Sequence, residues 1–443
     1  MKKKTKRALS IGMMAILTIG LVSGCGSGKK EKVAEEKKED KKKIVVWGPI
    51  PEENGPQDVC DHFMEEHPDI EVEYVRYVND DQGNVKLDTA LMSGEQIDVY
   101  FTQFEDYYVK RIEAGMAEAL DPLLEKDGFD IQEAYGDGVW QYEGKTYGLP
   151  TNYDHQFVWI NEKMFQEAGI EIPTSWTWDE YAEITKKLTK DADGVKIYGG
   201  FMKWQDVGRL MGRGQVLGAD SFYKSDTESN FDDPVYQQTL ELFDRMMLQD
   251  GSHMNFVEAT NSKLEPYGEF LSGKVATCIS APWITRYIND QEKYPHDFKT
   301  VAAPLPITEG SEHNYGWPGL TGVIMMNPAT AQKEAAYDFI KYYGTEGQKY
   351  MCRAGKIPSW TGIDPEVALN EMLGENAEEL FDVDSFKNVI FDEKIERYYN
   401  TKFNKLPELE RIWKEEVERF VTGEQDQEST LANAKERGDQ ELK

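Results

Sequence analysis

Short apolar runs alternate with amphipathic helical stretches through the first third of the chain. Ile44 to Trp47 is a short apolar strand, and Gly55-Pro56 opens a helix with Val59 and Phe63 on one face, stopped at His67-Pro68. Ile70, Val72 and Tyr74 then alternate with Glu71 and Glu73, the period of a half-buried strand. A second helix ends at Gly94, a strand follows over Ile97 to Phe101, and a third helix ends at Gly115. This βαβα order predicts an α/β fold with a largely parallel sheet.

Longer helices follow. Thr177-Trp178-Asp179-Glu180 has the spacing of a capping box, and Tyr181, Ile184 and Leu188 form an apolar stripe behind it. Asp233-Pro234 opens a helix carrying Leu240, Phe243 and Met247, and Val275 to Ile279 is again a strand. Leu409, Ile412, Trp413, Val417 and Phe420 make a long amphipathic stripe that stops near Gly423. A body of about 400 residues is too long for one core, so two domains are expected.

The first residues follow a different pattern. Lys2, Lys3, Lys4, Lys6 and Arg7 precede an uncharged run from Ala8 to Gly24, and Leu21-Val22-Ser23-Gly24-Cys25 places small residues directly before a cysteine. That is the layout of a bacterial lipoprotein signal: residues 1–24 are removed and Cys25 becomes the lipid-bearing N-terminus. Residues 25–43 are a Lys/Glu-rich tether. The expected location is the extracellular face of the cytoplasmic membrane of a Gram-positive bacterium, with the lipid at Cys25 as the membrane contact.

The formal charge is −31. The leader contributes a net five positive charges and the tether three, so the body from Ile44 carries −39. Such a body excludes nucleic acid as a partner, because phosphate contacts require Lys and Arg clusters, and it also disfavours an anionic ligand. Cys60, Cys278 and Cys352 are an odd remainder, expected as small buried apolar residues.

Several tryptophans stand beside Gly or Pro at expected strand ends: Trp47-Gly48-Pro49, Pro282-Trp283, Gly316-Trp317-Pro318 and Pro358-Ser359-Trp360. A pyranose has apolar C–H faces and a rim of hydroxyls, so a site for it needs flat rings together with carboxylates or amides. Each of these tryptophans is equally accounted for by packing against a core. Other motifs carry no chemistry. Gly212 to Gly218 has the wrong spacing for a phosphate loop, and Asp191-Ala192-Asp193-Gly194 opens like a calcium loop without its later ligands. The sequence has no His-Glu-x-x-His and no Gly-x-Ser-x-Gly, and no cofactor or metal is expected.

The chain resembles the extracellular solute-binding proteins of ABC importers, in the sugar-binding branch that includes maltose-binding protein. The resemblance rests on ordered blocks: His67 to Val72, Gly94 to Val99, Gly115 to Leu123, Glu143 to Pro150, Trp159 to Phe165, Pro173 to Glu180, Phe270 to Ala276, Pro304 to Pro306, and Ala335 to Ile340. It implies a two-lobed periplasmic-binding-protein-like fold hinged between discontinuous lobes. The first lobe is expected to comprise residues 44–152 and 286–326, the second 153–285 and 327–443. Crossings are expected near Pro150 to His155, Trp283 to Tyr287 and Met326 to Thr330.

By the same resemblance, Trp283 follows its strand where a stacking Trp is placed, and Trp317 lies in a Gly-rich segment facing the cleft. Tyr153 and Asp154, with His155, lie on the first crossing. Glu105 and Asp106 follow a strand whose loop supplies a sugar-binding carboxylate, although acids are also favoured there by the dipole of the helix they begin. Trp204 matches an aromatic-bearing segment loosely, and Trp47 and Trp360 complete the ligand-binding candidates, whereas Trp176 and Trp178 are read as structural. The implied function is a non-enzymatic, lipid-anchored receptor, monomeric, that delivers a mono- or oligosaccharide to an ABC permease. The alternatives are a surface glycoside-active enzyme using paired carboxylates, or the same fold specific for a cationic solute such as a polyamine.

Overall fold

The computed structural model describes residues 41–192, 194–203, 215–316, 320–391, 396–397 and 400–443. The strands in chain order are β1 (Lys42–Gly48), β2 (Ile70–Arg76), β3 (Val99–Thr102), β4 (Gly148–Tyr153), β5 (Phe157–Asn161), β6 (Lys190–Ala192), β7 (Val195–Phe201), β8 (Tyr223–Ser225), β9 (Glu228–Ser229), β10 (Val275–Ser280), β11 (Thr300–Ala303) and β12 (Leu320–Met326). Ten of them form two five-stranded sheets, ordered β2-β1-β3-β12-β4 and β11-β5-β10-β7-β6, and each sheet is the frame of one lobe. β8 and β9 form a separate hairpin.

The parallel reading holds for β1 with β2 and β3, where Val46 lies between Tyr74 and Val99. It fails at β12, which runs antiparallel to both β3 and β4, so the first sheet is mixed. The folded body also starts before Ile44: β1 begins at Lys42, and Lys42 and Lys43 pair with Asp69 and Glu73 on the neighbouring strand and its lead-in.

Strand alternation sorts side chains into the cores. On β1, Ile44 and Val46 enter the first-lobe core with Phe63, Phe339 and Ile340, while Val45 and Trp47 point to the opposite face with Leu87 and Tyr100. On β5, Phe157 and Trp159 join the core beneath helices Pro365–Leu373 and Val383–Ile390, and Val158 and Ile160 face the other way. The expected capping box is formed: Thr177 Oγ1 accepts from the Glu180 amide at 3.2 Å and Glu180 Oε2 from the Thr177 amide at 2.8 Å. Cys60, Cys278 and Cys352 are free and buried, as expected. Asp191 and Ala192 pair with Lys196 and Val195, so they belong to antiparallel strands β6 and β7, while Asp193 lies outside the described residues.

The lobe boundaries and the crossings differ from expectation. Assigning 286–326 to the first lobe fails at β11, which pairs with β5 in the second sheet. Assigning 327–443 to the second fails at helix Lys333–Gly344, whose Ala336, Phe339 and Ile340 lie in the first-lobe core. The first passage runs over residues 154–156, between β4 and β5, and overlaps the expected Pro150 to His155 only in its last two residues, since Pro150 to Tyr153 belong to β4. Trp283 to Tyr287 does not cross, because Ile284 and Ile288 are anchored in the second-lobe core. Met326 to Thr330 does not cross either: Asn327 donates to the Ile97 carbonyl at 2.7 Å and Thr330 Oγ1 to the buried Asp98 carboxylate, holding the segment against β3. The other passages run from β11 to β12 and through Lys356 to Trp360, where Ile357 enters the second-lobe core and Trp360 packs against the first.

Among the described residues, no helix is long and apolar enough to cross a membrane, and no group of His, Cys, Asp and Glu is placed to hold a metal ion.

Candidate ligand-binding site

The first and last passages between the lobes lie side by side, because the Tyr153 amide donates to the Ile357 carbonyl at 2.8 Å. That bond brings Asp154 to Lys356, with Oδ1 and Nζ 3.7 Å apart. Asp154 Oδ1 also accepts from Asn152 Nδ2 at 3.1 Å, and Asn152 Nδ2 donates to Thr321 Oγ1 at 2.9 Å, which ties the carboxylate to β4 and β12. Lys356 is only 9% exposed. Burial pulls its pKa below the ordinary lysine value; the Asp154 charge opposes that shift and the Arg286 charge adds to it.

Arg286 comes from the short helix Thr285–Asn289 that follows β10. Its guanidinium lies over the Trp283 ring at 5.7 Å and the Tyr287 ring at 4.8 Å, and Nη2 donates to the Tyr287 hydroxyl at 3.1 Å. Tyr267 stacks on Tyr287 at 4.1 Å and meets Trp283 edge-on at 5.6 Å, so Trp283 is one member of an aromatic group. Burial raises the Tyr267 phenol pKa, and the neighbouring Tyr287 and Tyr294 add to the shift. The chain can approach Trp283 this closely only because Gly355 has no side chain: a Cβ there would lie 2.2 Å from the Pro282 carbonyl oxygen, and φ is +72°. Arg397 covers the Tyr153 ring at 4.9 Å.

The sequence candidates therefore divide. Asp154, Tyr153 and Trp283 gather around the crossings, with His155 9% exposed beside Phe157. Trp360 is half-buried against the first-lobe core, its amide donating to Gln348 Oε1 at 3.1 Å. Trp47 is a correction: it is 3% exposed, since the parity of β1 turns it into a packed face, where Lys86 Nζ lies 5.3 Å from its ring. Glu105 and Asp106 open helix Glu105–Glu113, as the dipole reading expects, with Asp106 paired to Lys110 at 3.2 Å. Trp204, Trp317 and Cys25 lie outside the described residues. Trp176 and Trp178 are structural: their indole N–H groups donate to the Pro304 carbonyl and to Gln215 Oε1.

Sequence reasoning missed Arg286, Tyr287, Tyr267 and Lys356. Trp283, Arg286 and Tyr287 stand at i, i+3 and i+4, a spacing that places them on one helical face, and this was the available signal for two of the four.

Residues 48–350 match the family described as bacterial extracellular solute-binding protein. An arabinooligosaccharide-binding protein of Halalkalibacterium halodurans is 23% identical over 300 residues, covering 65% of this chain and 63% of that one. A maltotriose-binding protein of Pyrococcus abyssi is 25% identical over 354 residues, covering 77% and 69%. Against related Brucella abortus chains the match spans 60% of their length. Among solved structures, an ABC substrate-binding protein from Listeria monocytogenes in complex with cycloalternan superposes with a TM-score of 0.73 at 19% identity, covering 90% of this chain and 99% of that one. The GacH receptor of Streptomyces glaucescens, solved unliganded and with acarbose, gives a TM-score of 0.70 at 19% identity, covering 91% and 99%.

Proposed function

The chain belongs to the family of bacterial extracellular solute-binding proteins, and on that premise we propose that it is a lipid-anchored receptor that captures a saccharide between its lobes and presents it to an ABC permease. The observation that carries this reading is the meeting of aromatic rings with charged and amide groups at the crossings: Trp283, Tyr287 and Tyr267 beside Asp154, Asn152, Arg286 and Lys356. Rings serve the C–H faces of a sugar and fixed polar groups serve its rim. Because the site sits where the chain passes between lobes, a ligand touching both stabilises the arrangement that encloses it. Relatives that bind an arabinooligosaccharide and maltotriose support a mono- or oligosaccharide as the solute.

The protein returns its ligand unchanged, acts as a monomer, and is held at the outer face of a Gram-positive cytoplasmic membrane through the lipid on Cys25. The test is a thermal-shift screen against mono- and oligosaccharides, with polyamines and peptides as controls and chemical analysis of the recovered ligand. A saccharide that raises the midpoint and is recovered intact supports the receptor. Cleaved product, or a shift produced only by a polyamine or peptide, overturns it.

A further inference from the structure

Resting on that saccharide reading, we infer that the solute carries a carboxylate of the uronic-acid kind, docked on Arg286 and Lys356 where the crossings meet. The body is strongly acidic, so cations gathered at one place, one of them buried, need a cause. Around the first crossing, among the described residues, the buried Lys356 and the half-buried Arg286 stand against the carboxylate of Asp154. Among the described residues, the charged neighbours of Lys356 are Asp154 and Arg286, so two cations share one carboxylate about a side chain that is 11% exposed. The 3.7 Å separation of Lys356 Nζ from Asp154 is longer than a hydrogen bond, so the ammonium keeps donor capacity. Among the described residues, Arg286 has no carboxylate within ion-pair distance; its contacts are the Trp283 and Tyr287 rings and the Tyr287 hydroxyl.

A neutral sugar enclosed here leaves that excess charge desolvated and uncompensated, which is costly. A sugar carboxylate neutralises it and takes the planar donors that only a guanidinium presents as a fork. Arg286 is already held over two rings, so little side-chain freedom is lost on docking. The half-buried Trp283 ring suits the pyranose face of a uronic acid, which a small inorganic anion cannot use. The negative field of the whole body slows the approach of such a solute. Screening confines that field to roughly 8 Å at physiological salt, and the bound state is decided by groups much closer than this.

The experiment is titration calorimetry on the full chain in detergent, using matched oligo-uronates and neutral oligosaccharides of the galacto, gluco and manno series, with inorganic phosphate as a separate arm. An acidic member should bind at least about tenfold tighter than its neutral counterpart, the range of a charge-assisted contact. Arg286→Met should abolish that preference, Arg286→Lys should restore part of it, and Lys356→Met should weaken the acidic sugar alone. Unchanged circular dichroism and melting midpoints establish that the variants fold. A neutral saccharide bound as tightly as its acidic counterpart overturns this inference and leaves the receptor standing. Acidic binding indifferent to both substitutions, or phosphate bound equally well, also overturns it. Silence from both saccharide series overturns the receptor as well.

Discussion

Trp47 and Trp283 have the same kind of sequence neighbours, and the structure places them in different surroundings. Trp47 follows Val46 on a strand whose alternate residues face opposite cores, so it is enclosed, whereas Trp283 stands in a turn after β10, half-buried beside Tyr267 and Arg286. Trp283→Ala should therefore weaken saccharide binding by roughly 1–3 kcal/mol in calorimetry while moving the melting midpoint little. Trp47→Ala should instead cost about 3–5 kcal/mol of stability by denaturant titration and leave affinity unchanged in the protein that remains folded. His253 allows a third residue-scale test. Its Nδ1–H donates to the Met254 carbonyl and its Nε2 accepts from the Met202 amide, each at 2.8 Å, so both ring nitrogens are used in the neutral state. Burial lowers its pKa to about 4, against hydrogen bonds that act to raise it. The unfolded chain then binds the extra proton between about pH 6.5 and about pH 4, so stability falls as pH drops through that window, by roughly 3 kcal/mol in all. Unfolding titrations across the window should show this slope and His253→Gln should flatten it; equal slopes in both proteins would refute the assignment.

Element by element, the sequence was readable wherever period and caps decide the outcome. The helix from Trp178 is the clearest case, since Thr177 and Glu180 exchange both capping bonds. Thr177→Ala should cost about 1 kcal/mol, measured by denaturant unfolding, with no change in ligand affinity. Sheet membership was not readable. Thr300 to Ala303 is a short apolar run of the kind that suits either sheet, and only its pairing with Val158 to Asn161 assigns it to the second lobe. Nor does local pattern tell a crossing from a turn. Met326 to Thr330 stays in the first lobe because of two side-chain bonds to residues far away in sequence, Ile97 and Asp98. The site shows the same division: the aromatic half was visible as Trp283 beside Pro282, while Asp154, Arg286 and Lys356 come from three distant segments and meet only through the Tyr153–Ile357 bond and the close approach at Gly355.

At the scale of the whole molecule, the two sheets share more than crossings. Helix Leu406–Val421 and its lead-in reach both lobes: Phe403 meets Tyr108 at 6.1 Å on the first-lobe side, and Trp413 stacks on Phe231 at 5.7 Å and meets Tyr236 at 4.7 Å on the other. One continuous apolar cluster contains residues from both sheets, such as Tyr100 on β3 and Ile160 on β5. Lobes coupled through a common core lose it together, so calorimetric unfolding should show one transition rather than two. Ligand adds to the same transition, because it binds the folded state alone. At a free concentration one hundred times Kd it contributes about 2.7 kcal/mol. For a body of about 400 residues the unfolding entropy is about 0.8 kcal/mol per kelvin, so that contribution corresponds to a rise of about 3 °C in midpoint. The whole peak should move, in scanning calorimetry, by that amount and without splitting. A ligand that shifted only part of the heat would mean that it touches one lobe and that the shared core does not couple them, and would remove the physical basis for capture between the lobes.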